Sequence, residues 1–162
     1  MSVNAPVSHL EDALKLESDA KIDLYELRLR GSPTILRFWN GVTRTWQGDI
    51  YEGLACALTG EGSPSADQNS RPTLTVVNPD KIFGVFAAEG YLDLAEIVRR
   101  RVLQPHFVED VNLFEQRVWI VARPSQVTSQ SMSLELRSTT DMPAWKTPRR
   151  TFSPPEFPFV VL

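Results

Sequence analysis

The sequence predicts a mainly β fold, a sandwich or barrel of about seven or eight short, mostly antiparallel strands. Two observations support this prediction. Apolar and polar residues alternate with a period of two in several segments, as in residues 25–30, which is typical of half-buried strands. Turn residues such as Gly31-Ser32-Pro33 separate these segments at short intervals. The spacing leaves little room for the crossover helices of βαβ units.

Length and composition predict one domain. The chain has 162 residues, and 42% of them are hydrophobic, which is enough to build a sizeable core. The net charge of −3 gives no global attraction to nucleic acid or to anionic membranes. We expect a flexible N-terminus over residues 1–8, a β-rich domain over 9–140, and an extended, proline-rich C-terminal arm over 141–162. No stretch resembles a membrane anchor or a secretory signal, so we expect cytosolic synthesis.

The first third of the chain is expected to hold a short helix and a meander of hairpins. Ser8 and Glu11 match the capping-box pattern, which predicts an amphipathic helix from about residue 9 to 18. A strand follows over residues 21–30. Asn40-Gly41 favours a tight hairpin turn between the second strand and the third, and Gly48-Asp49 would break the third strand.

The middle of the chain predicts further strands around one short internal helix. The segment "SRPTLTVVNP" is read as a strand that begins after Pro72 and ends at Asn78-Pro79. Asp80 and Gly90 are placed to begin and end one or two helical turns. In the strand of residues 98–103, alternate arginines are expected to point to opposite faces.

Candidate catalytic and metal-binding residues do not form a recognisable site. His9 and His106 lack ligand spacing; we expect His9 on the exposed side of a helix and His106 in a strand or turn. Cys56, the only cysteine, alternates with leucines and is read as a small buried hydrophobe. Glu109-Asp110 is read as an exposed turn, not an acid–base pair. The sequence therefore predicts no enzyme and no cofactor.

The tryptophans leave two interpretations open. They could form a platform for sugars, or they could fill a β core or a subunit interface, which the composition favours. The four are Trp39, Trp46, Trp119 and Trp145. A receptor- or carbohydrate-binding β-sandwich therefore stays an alternative, and a small hydrolase with an unrecognised site is a third.

Several segments, in order, resemble the minor tail protein L family of lambda-like phages. They are "LESDAKIDLYELRL", "TWQGDIYEG", "SRPTLTVVNP", "LAEIVRRRV" and "FVEDVN". The resemblance covers about residues 12–150. It corresponds to the N-terminal domain of the longer family members, whose cysteine-rich C-terminal region holds an iron–sulfur cluster. Because this chain has one cysteine, no cluster is expected here.

The resemblance implies a structural component of a phage tail tip or baseplate hub. Such a protein links the distal tail ring protein to the larger hub or fibre protein, and the tape measure protein is a further candidate partner. The resemblance also implies a homotrimeric ring through which DNA can pass, without specific nucleic-acid binding or a membrane anchor. The expected location is the virion tail, after synthesis in the host bacterial cytoplasm.

A ring subunit needs contacts to its neighbours, and two groups of residues are candidates. Arginine binds carboxylates bidentately and is weakly hydrated, which suits interfaces. Arg71, Arg99 and Arg101 are therefore candidate inter-subunit contacts, Arg71 through a structural or inter-subunit ion pair. The arm holds five prolines and several bulky apolar residues, so we expect it to lie along its own domain or a neighbour. Its candidate contacts are Trp145, Phe152, Phe157 and Phe159.

Overall fold

The computed structural model describes residues 5–15, 17–61, 71–78 and 81–138. Within these residues it confirms a mainly β fold, with nine strands in one mixed sheet and three short helices. In chain order the elements are α1 (Val7–Ala13), β1 (Lys21–Arg28), β2 (Ile35–Trp39), β3 (Arg44–Trp46), β4 (Asp49–Gly53), β5 (Cys56–Thr59), β6 (Thr73–Val77), α2 (Ile82–Ala88), β7 (Glu96–Leu103), α3 (Gln104–Val108), β8 (Glu115–Val127) and β9 (Ser131–Ser138).

The sheet closes into a barrel. The strand order is β3-β4-β2-β1-β7-β8-β9-β6-β5, which places β4 and β5 near opposite ends. Yet only Leu54 and Ala55 separate these two strands, a distance of at most about 11 Å along the chain. Two backbone hydrogen bonds hold the junction: the Leu54 amide donates to the carbonyl of Trp39, and the Val77 amide donates to that of Ala55. The two ends of the sheet therefore meet.

Alternate residues of seven strands fill the barrel interior. On β1, Tyr25 and Leu27 point inward, and on β7 Ile97 and Arg99 do so opposite them. This alternation follows from the period of two in strand geometry. The same core includes Phe38, Cys56, Leu58, Leu74, Val76, Trp119, Val121, Met132, Leu134 and Leu136.

Helix α2 closes one end of the barrel. Phe83 is 4% exposed, and Leu92, in the turn that follows α2, is fully buried against the end of β1. The helix has no side-chain cap; instead Asn78, at the end of β6, accepts a hydrogen bond from the Phe83 amide and donates one to the carbonyl of Thr128. Gly90 adopts a positive φ of 74° after the helix, as expected for a C-terminal glycine. Asp80, the predicted cap, lies outside the described residues.

A second, smaller core covers the outer face of β1 and β7. The hairpin of β3 and β4 and the helix α3 pack onto this face. Its centre is formed by Leu24, Trp46, Tyr51, Val102 and Phe107. The opposite end of the barrel from α2, where β1 begins and β7 ends, therefore lies next to α3.

The predicted hairpin at Asn40-Gly41 was wrong. Strand β2 pairs in parallel with β4, and the tight turn instead lies at Gln47-Gly48, where both residues have positive φ. Gly41 serves a different purpose, because a Cβ there would lie 2.2 Å from the indole ring of Trp39. Gly53 allows a similarly close approach, since its Cβ would lie 2.1 Å from the carbonyl oxygen of Gly41.

The N-terminal helix exists but differs from its prediction. It begins at Val7, with Pro6 at the N-cap and no side-chain cap, so the capping box of Ser8 and Glu11 does not form. Val7 and Ser8, the last two residues of the expected flexible N-terminus, belong to α1, while residues 1–4 lie outside the described part. His9 is 5% exposed, contrary to the expected solvent-facing position. His106 lies in α3, a helix that the sequence did not predict.

Candidate functional site

The open end of the barrel contains a pocket of about 280 Å³. Its wall combines aromatic and aliphatic side chains with an unusual density of charge. The charged members are Lys21, Asp23, Glu61, Arg99 and Arg101, and Tyr25 lies beneath them. Strands β1 and β7 carry most of these groups. Their inward-facing residues are charged at the open end of the barrel, and those further inside the barrel are apolar.

Arg99 is the most buried of these charges, with no exposed surface. Its guanidinium lies 5.2 Å from the ring centroid of Trp119, close enough for a cation–π contact. One of its nitrogens forms a short ion pair with Glu61, and its Nε lies 3.9 Å from Asp23. Two carboxylates, those of Glu61 and Asp23, therefore lie near the positive charge of Arg99, and the ring of Trp119 lies against its guanidinium.

Two further arginines complete this network of charges. Arg101 donates to both oxygens of Asp23, from Nε at 2.8 Å and from Nη2 at 3.0 Å, and this bidentate contact raises the pKa of Arg101. Arg117 pairs with Glu61 through Nη1 at 2.8 Å. Each carboxylate thus serves two or more arginines, so the groups that line the pocket largely neutralise one another.

The titratable groups near the pocket are poorly suited to nucleophilic chemistry. Burial raises the pKa of the Cys56 thiol to about 11, so it stays protonated at neutral pH. Burial also raises the pKa of Tyr25 well above its usual range. Among the residues that the structure describes, no cluster of three His, Cys, Asp or Glu side chains could hold a metal ion.

A second charged cluster lies on the outer face, around Glu26. This carboxylate is 2% exposed and pairs with Arg100 at 2.7 Å, Arg28 at 3.1 Å and Arg37 at 3.5 Å. The Tyr51 hydroxyl also donates to it, at 3.1 Å. Burial acts to raise the pKa of Glu26, but the arginines and the hydroxyl outweigh that effect and hold the pKa below its usual range. The cluster fixes the hairpin of β3 and β4 to the barrel.

Four of the five segments that carry the family resemblance meet on this outer face, whereas "SRPTLTVVNP" forms β6 between β5 and β9. The backbone amide of Gln47, in "TWQGDIYEG", donates a hydrogen bond at 2.7 Å to the side chain of Asp110, in "FVEDVN". Arg44, just before the first segment, donates to the carbonyl of Val108 at 3.1 Å. Arg100, from "VRRRV", donates a hydrogen bond at 3.0 Å to the hydroxyl of Tyr51, from "TWQGDIYEG". Segments separated by more than 40 residues therefore form one packed unit, here called the motif face.

Arg71 forms an ion pair within its own chain. Its Nη1 lies 2.7 Å from Glu135 on β9, and Arg123 contacts the other oxygen of the same carboxylate at 3.1 Å. The pKa of Glu135 is held below its usual range by the hydrogen bond from Arg71. The structural alternative predicted for Arg71 is thus present, and its side chain is still 58% exposed.

The remaining predicted contact residues have different positions. Arg101 is partly exposed at the rim of the pocket, whereas Arg99 makes all its described contacts inside the barrel. Arg99 is thus a buried residue of its own chain, and an inter-subunit contact through it stays a prediction. The four aromatic candidates, Trp145, Phe152, Phe157 and Phe159, lie outside the described residues.

The carboxylates that organise the two clusters were missed by sequence reasoning. Asp23 and Glu26 lie on opposite faces of β1, each pointing toward an arginine of the neighbouring strand β7. A signal for Asp23 existed: it shares the inward face with Tyr25 and Leu27. A charge at that position needs a partner on the same face, and Arg101 is directly opposite it.

The described tryptophans are core residues. Trp46 is 1% exposed and Trp119 is 8% exposed. Trp39 is half-buried, and its Nε1 donates to the carbonyl of Val42 at 2.9 Å. Trp39 also lines the pocket at the open end of the barrel, and Trp145 lies outside the described residues.

Several large apolar side chains on the outer elements face solvent. Leu14 is 87% exposed and Val42 is 82% exposed. Others on α1, on the β3–β4 hairpin and on α3 are Val7, Leu10, Ile50 and Val108.

No protein-family model matches the chain, and no curated protein matches it significantly. None of the helices in the described part of the chain is long and apolar enough to cross a membrane.

Proposed function

We propose that the chain is a structural component of a bacteriophage tail tip or baseplate hub. It would link the distal tail ring protein to the larger central hub or fibre protein. The observation that carries this proposal is the motif face. Segments that resemble the tail protein L family, far apart in sequence, contact one another through Gln47 and Asp110 and through Arg100 and Tyr51. Convergence of this kind is expected when the segments of a family resemblance belong to one fold.

The surface composition also supports an assembly role. Exposed apolar residues lie on all three outer elements, with Leu14, Ile50 and Val108 at 87%, 62% and 55% exposure. Association buries such side chains, and each contributes favourably when it leaves water. A homotrimeric ring, with the tape measure protein as a further contact, follows from the family resemblance.

The pocket supports a structural interpretation more than a catalytic one. Its arginines and carboxylates are paired with one another, as Asp23 is with Arg101. Acid–base catalysis needs two groups whose pKa values are pushed apart. Nucleophilic catalysis by Cys56 would need the thiolate, but burial keeps this thiol protonated. The proposal therefore assigns the charges at the open end of the barrel to stability.

Two measurements test the proposal. Immunogold electron microscopy of particles from the source phage or prophage should place the chain at the distal tail tip, whereas absence from purified particles would refute the assignment. Sedimentation of the purified chain with and without the distal tail ring protein should show a complex only in the mixture. A chain that stays monomeric and unbound at all concentrations would refute the linking role.

The carbohydrate-binding alternative has a separate readout. Binding of a glycan over an exposed tryptophan should change its fluorescence, and a tail-tip component without that activity should give no change across a glycan panel. Because Trp46 and Trp119 are buried, this alternative would depend on Trp39 or Trp145.

A further inference from the structure

Helix α1 presents its apolar side to solvent. Val7, Leu10 and Leu14 follow one another at helical spacing and are 69%, 57% and 87% exposed. The side of the helix that faces the protein instead carries His9 and Asp12, which are both buried. This arrangement is the reverse of an ordinary surface helix. The exposed residues are here called the α1 stripe.

The position of α1 is fixed by its buried face. The ring of His9 stacks on that of His106 in α3, with centroids 6.2 Å apart. Lys21 at the start of β1 and Glu115 at the start of β8 both influence the charge of His9. The helix therefore lies at the open end of the barrel, where these two strands begin.

The chain leaves the barrel toward the same end. Strand β9 ends at Ser138, directly across from Trp119 on the antiparallel strand β8. Glu115 lies four residues before Trp119, which corresponds to about 13 Å along a strand. A chain that continued in the direction of β9 would reach the level of α1 after about four residues. The described part of the chain therefore ends on a strand that points toward the level of the α1 stripe.

We propose that the C-terminal arm, residues 141–162, lies across the α1 stripe of its own molecule. The arm supplies bulky apolar groups and an extended, proline-rich backbone, which can follow a helix surface without internal hydrogen bonds. Charges also match: Glu11 and Glu17 flank the stripe, and the arm carries three basic residues within five positions, Lys146, Arg149 and Arg150. This docking is independent of the proposed tail-tip role.

Photo-crosslinking tests the contact directly. A benzoylphenylalanine placed at Leu10 of the full chain should crosslink to a peptide within residues 141–162. The same probe at Val85, an equally exposed valine on α2 at the other end of the barrel, should not. An equal mixture of light and ¹⁵N-labelled protein should give crosslinks within molecules only. Crosslinks between light and heavy molecules, or none to the arm, would overturn the proposal.

Limited trypsin digestion gives a second readout that does not depend on the crosslinking probe. If the arm is docked, Leu10→Ser with Leu14→Ser should speed cleavage after Lys146, Arg149 or Arg150 by about tenfold, because proteolysis follows the open fraction. The matched control, Val85→Ser, should leave the cleavage rate unchanged. Circular dichroism establishes that both variants are folded. Equal cleavage rates in folded wild type and double variant would overturn the proposal.

Discussion

Asp23 and Arg101, directly opposite each other on β1 and β7, form a bidentate ion pair at 2.8 and 3.0 Å. Both side chains are a little over one-quarter exposed. The same carboxylate faces the fully buried Arg99. The pair thus neutralises charge at the point where the barrel interior changes from apolar to polar.

Replacing this carboxylate should destabilise the barrel. In Asp23→Asn, Arg101 loses its charged acceptor and Arg99 keeps only Glu61, so we expect a loss of about 2 kcal/mol in the free energy of unfolding. Urea denaturation followed by tryptophan fluorescence measures it. Asp49→Asn is the control, because among the described residues Asp49 forms an ion pair only with Arg37, at 3.2 Å near the surface. Equal effects of the two variants would contradict the structural role of Asp23.

Glu26 should be the more costly carboxylate to replace. Glu26→Gln leaves the guanidinium of Arg100, which is partly buried, without its fully charged partner at a buried position, for which about 3 kcal/mol of destabilisation is expected. Glu96→Gln is the matched control, since that carboxylate is 39% exposed and, within the described part of the chain, forms an ion pair only with Arg28, at 3.5 Å. A loss in Glu26→Gln no larger than in the control would contradict the prediction.

The pKa of Glu26 also predicts a pH dependence. Its pKa is lower in the folded protein than in the unfolded chain, so its stabilising contribution is present above the unfolded value of about 4.3. The contribution is lost as the pH falls from there through the folded pKa. Wild type should therefore lose its stability advantage over Glu26→Gln in acid, which thermal melts at a series of acidic pH values would show.

Arg71→Ala separates the two roles that the sequence allowed for this residue. Its pair with Glu135 is solvent-exposed on the arginine side, and Arg123 remains as a second partner, so the stability should fall by less than about 1 kcal/mol. If sedimentation shows a marked loss of subunit association in the same variant, that loss would come from contacts between Arg71 and a neighbouring subunit. A large loss of monomer stability would contradict the surface position.

Local patterns in the sequence predicted side-chain directions well. The alternation in residues 98–103 correctly placed Arg99 and Arg101 on one face of β7 and Arg100 on the other, because a strand's period of two is a local property. The alternation around Cys56 likewise identified the side that packs on the core. Both inferences needed no knowledge of which strand is the neighbour.

Partner choice between distant segments could not be inferred in this way. Asn40-Gly41 has the composition of a hairpin turn, but the close packing of Gly41 on Trp39 and of Gly53 on Gly41 directs β2 to β4 instead. The inward face of α1 was also assigned wrongly. Its orientation depends on the stacking of His9 on His106, and these residues are 97 positions apart in sequence.

Cys56 should react slowly with thiol reagents in the folded protein. Its pKa is raised to about 11 by burial, and the thiolate is the reactive form. Near pH 8 the folded chain should therefore be modified at least about a hundredfold more slowly than the chain in urea, where the pKa returns to about 8.5. Absorbance after addition of an aromatic disulfide measures both rates. Comparable rates in the two states would contradict the burial of this thiol.

The packing of His9 predicts a second, milder pH dependence. Burial is the main cause that lowers the pKa of His9, followed by the neighbouring His106 and Lys21, while Glu115 and Asp12 act in the opposite direction. Between the folded pKa and about 6.5 the unfolded chain binds more protons, so stability should fall as the pH falls through this window. Above it, His9 is neutral in both states and contributes no pH dependence. In His9→Phe, which keeps a ring against His106, the change in Tm between about pH 7.5 and pH 5.5 should be smaller than in wild type. The change in Tm between these pH values could instead be the same in His9→Phe and in wild type. Other groups would then titrate in this range, and the contact between α1 and α3 would not respond to protonation of His9.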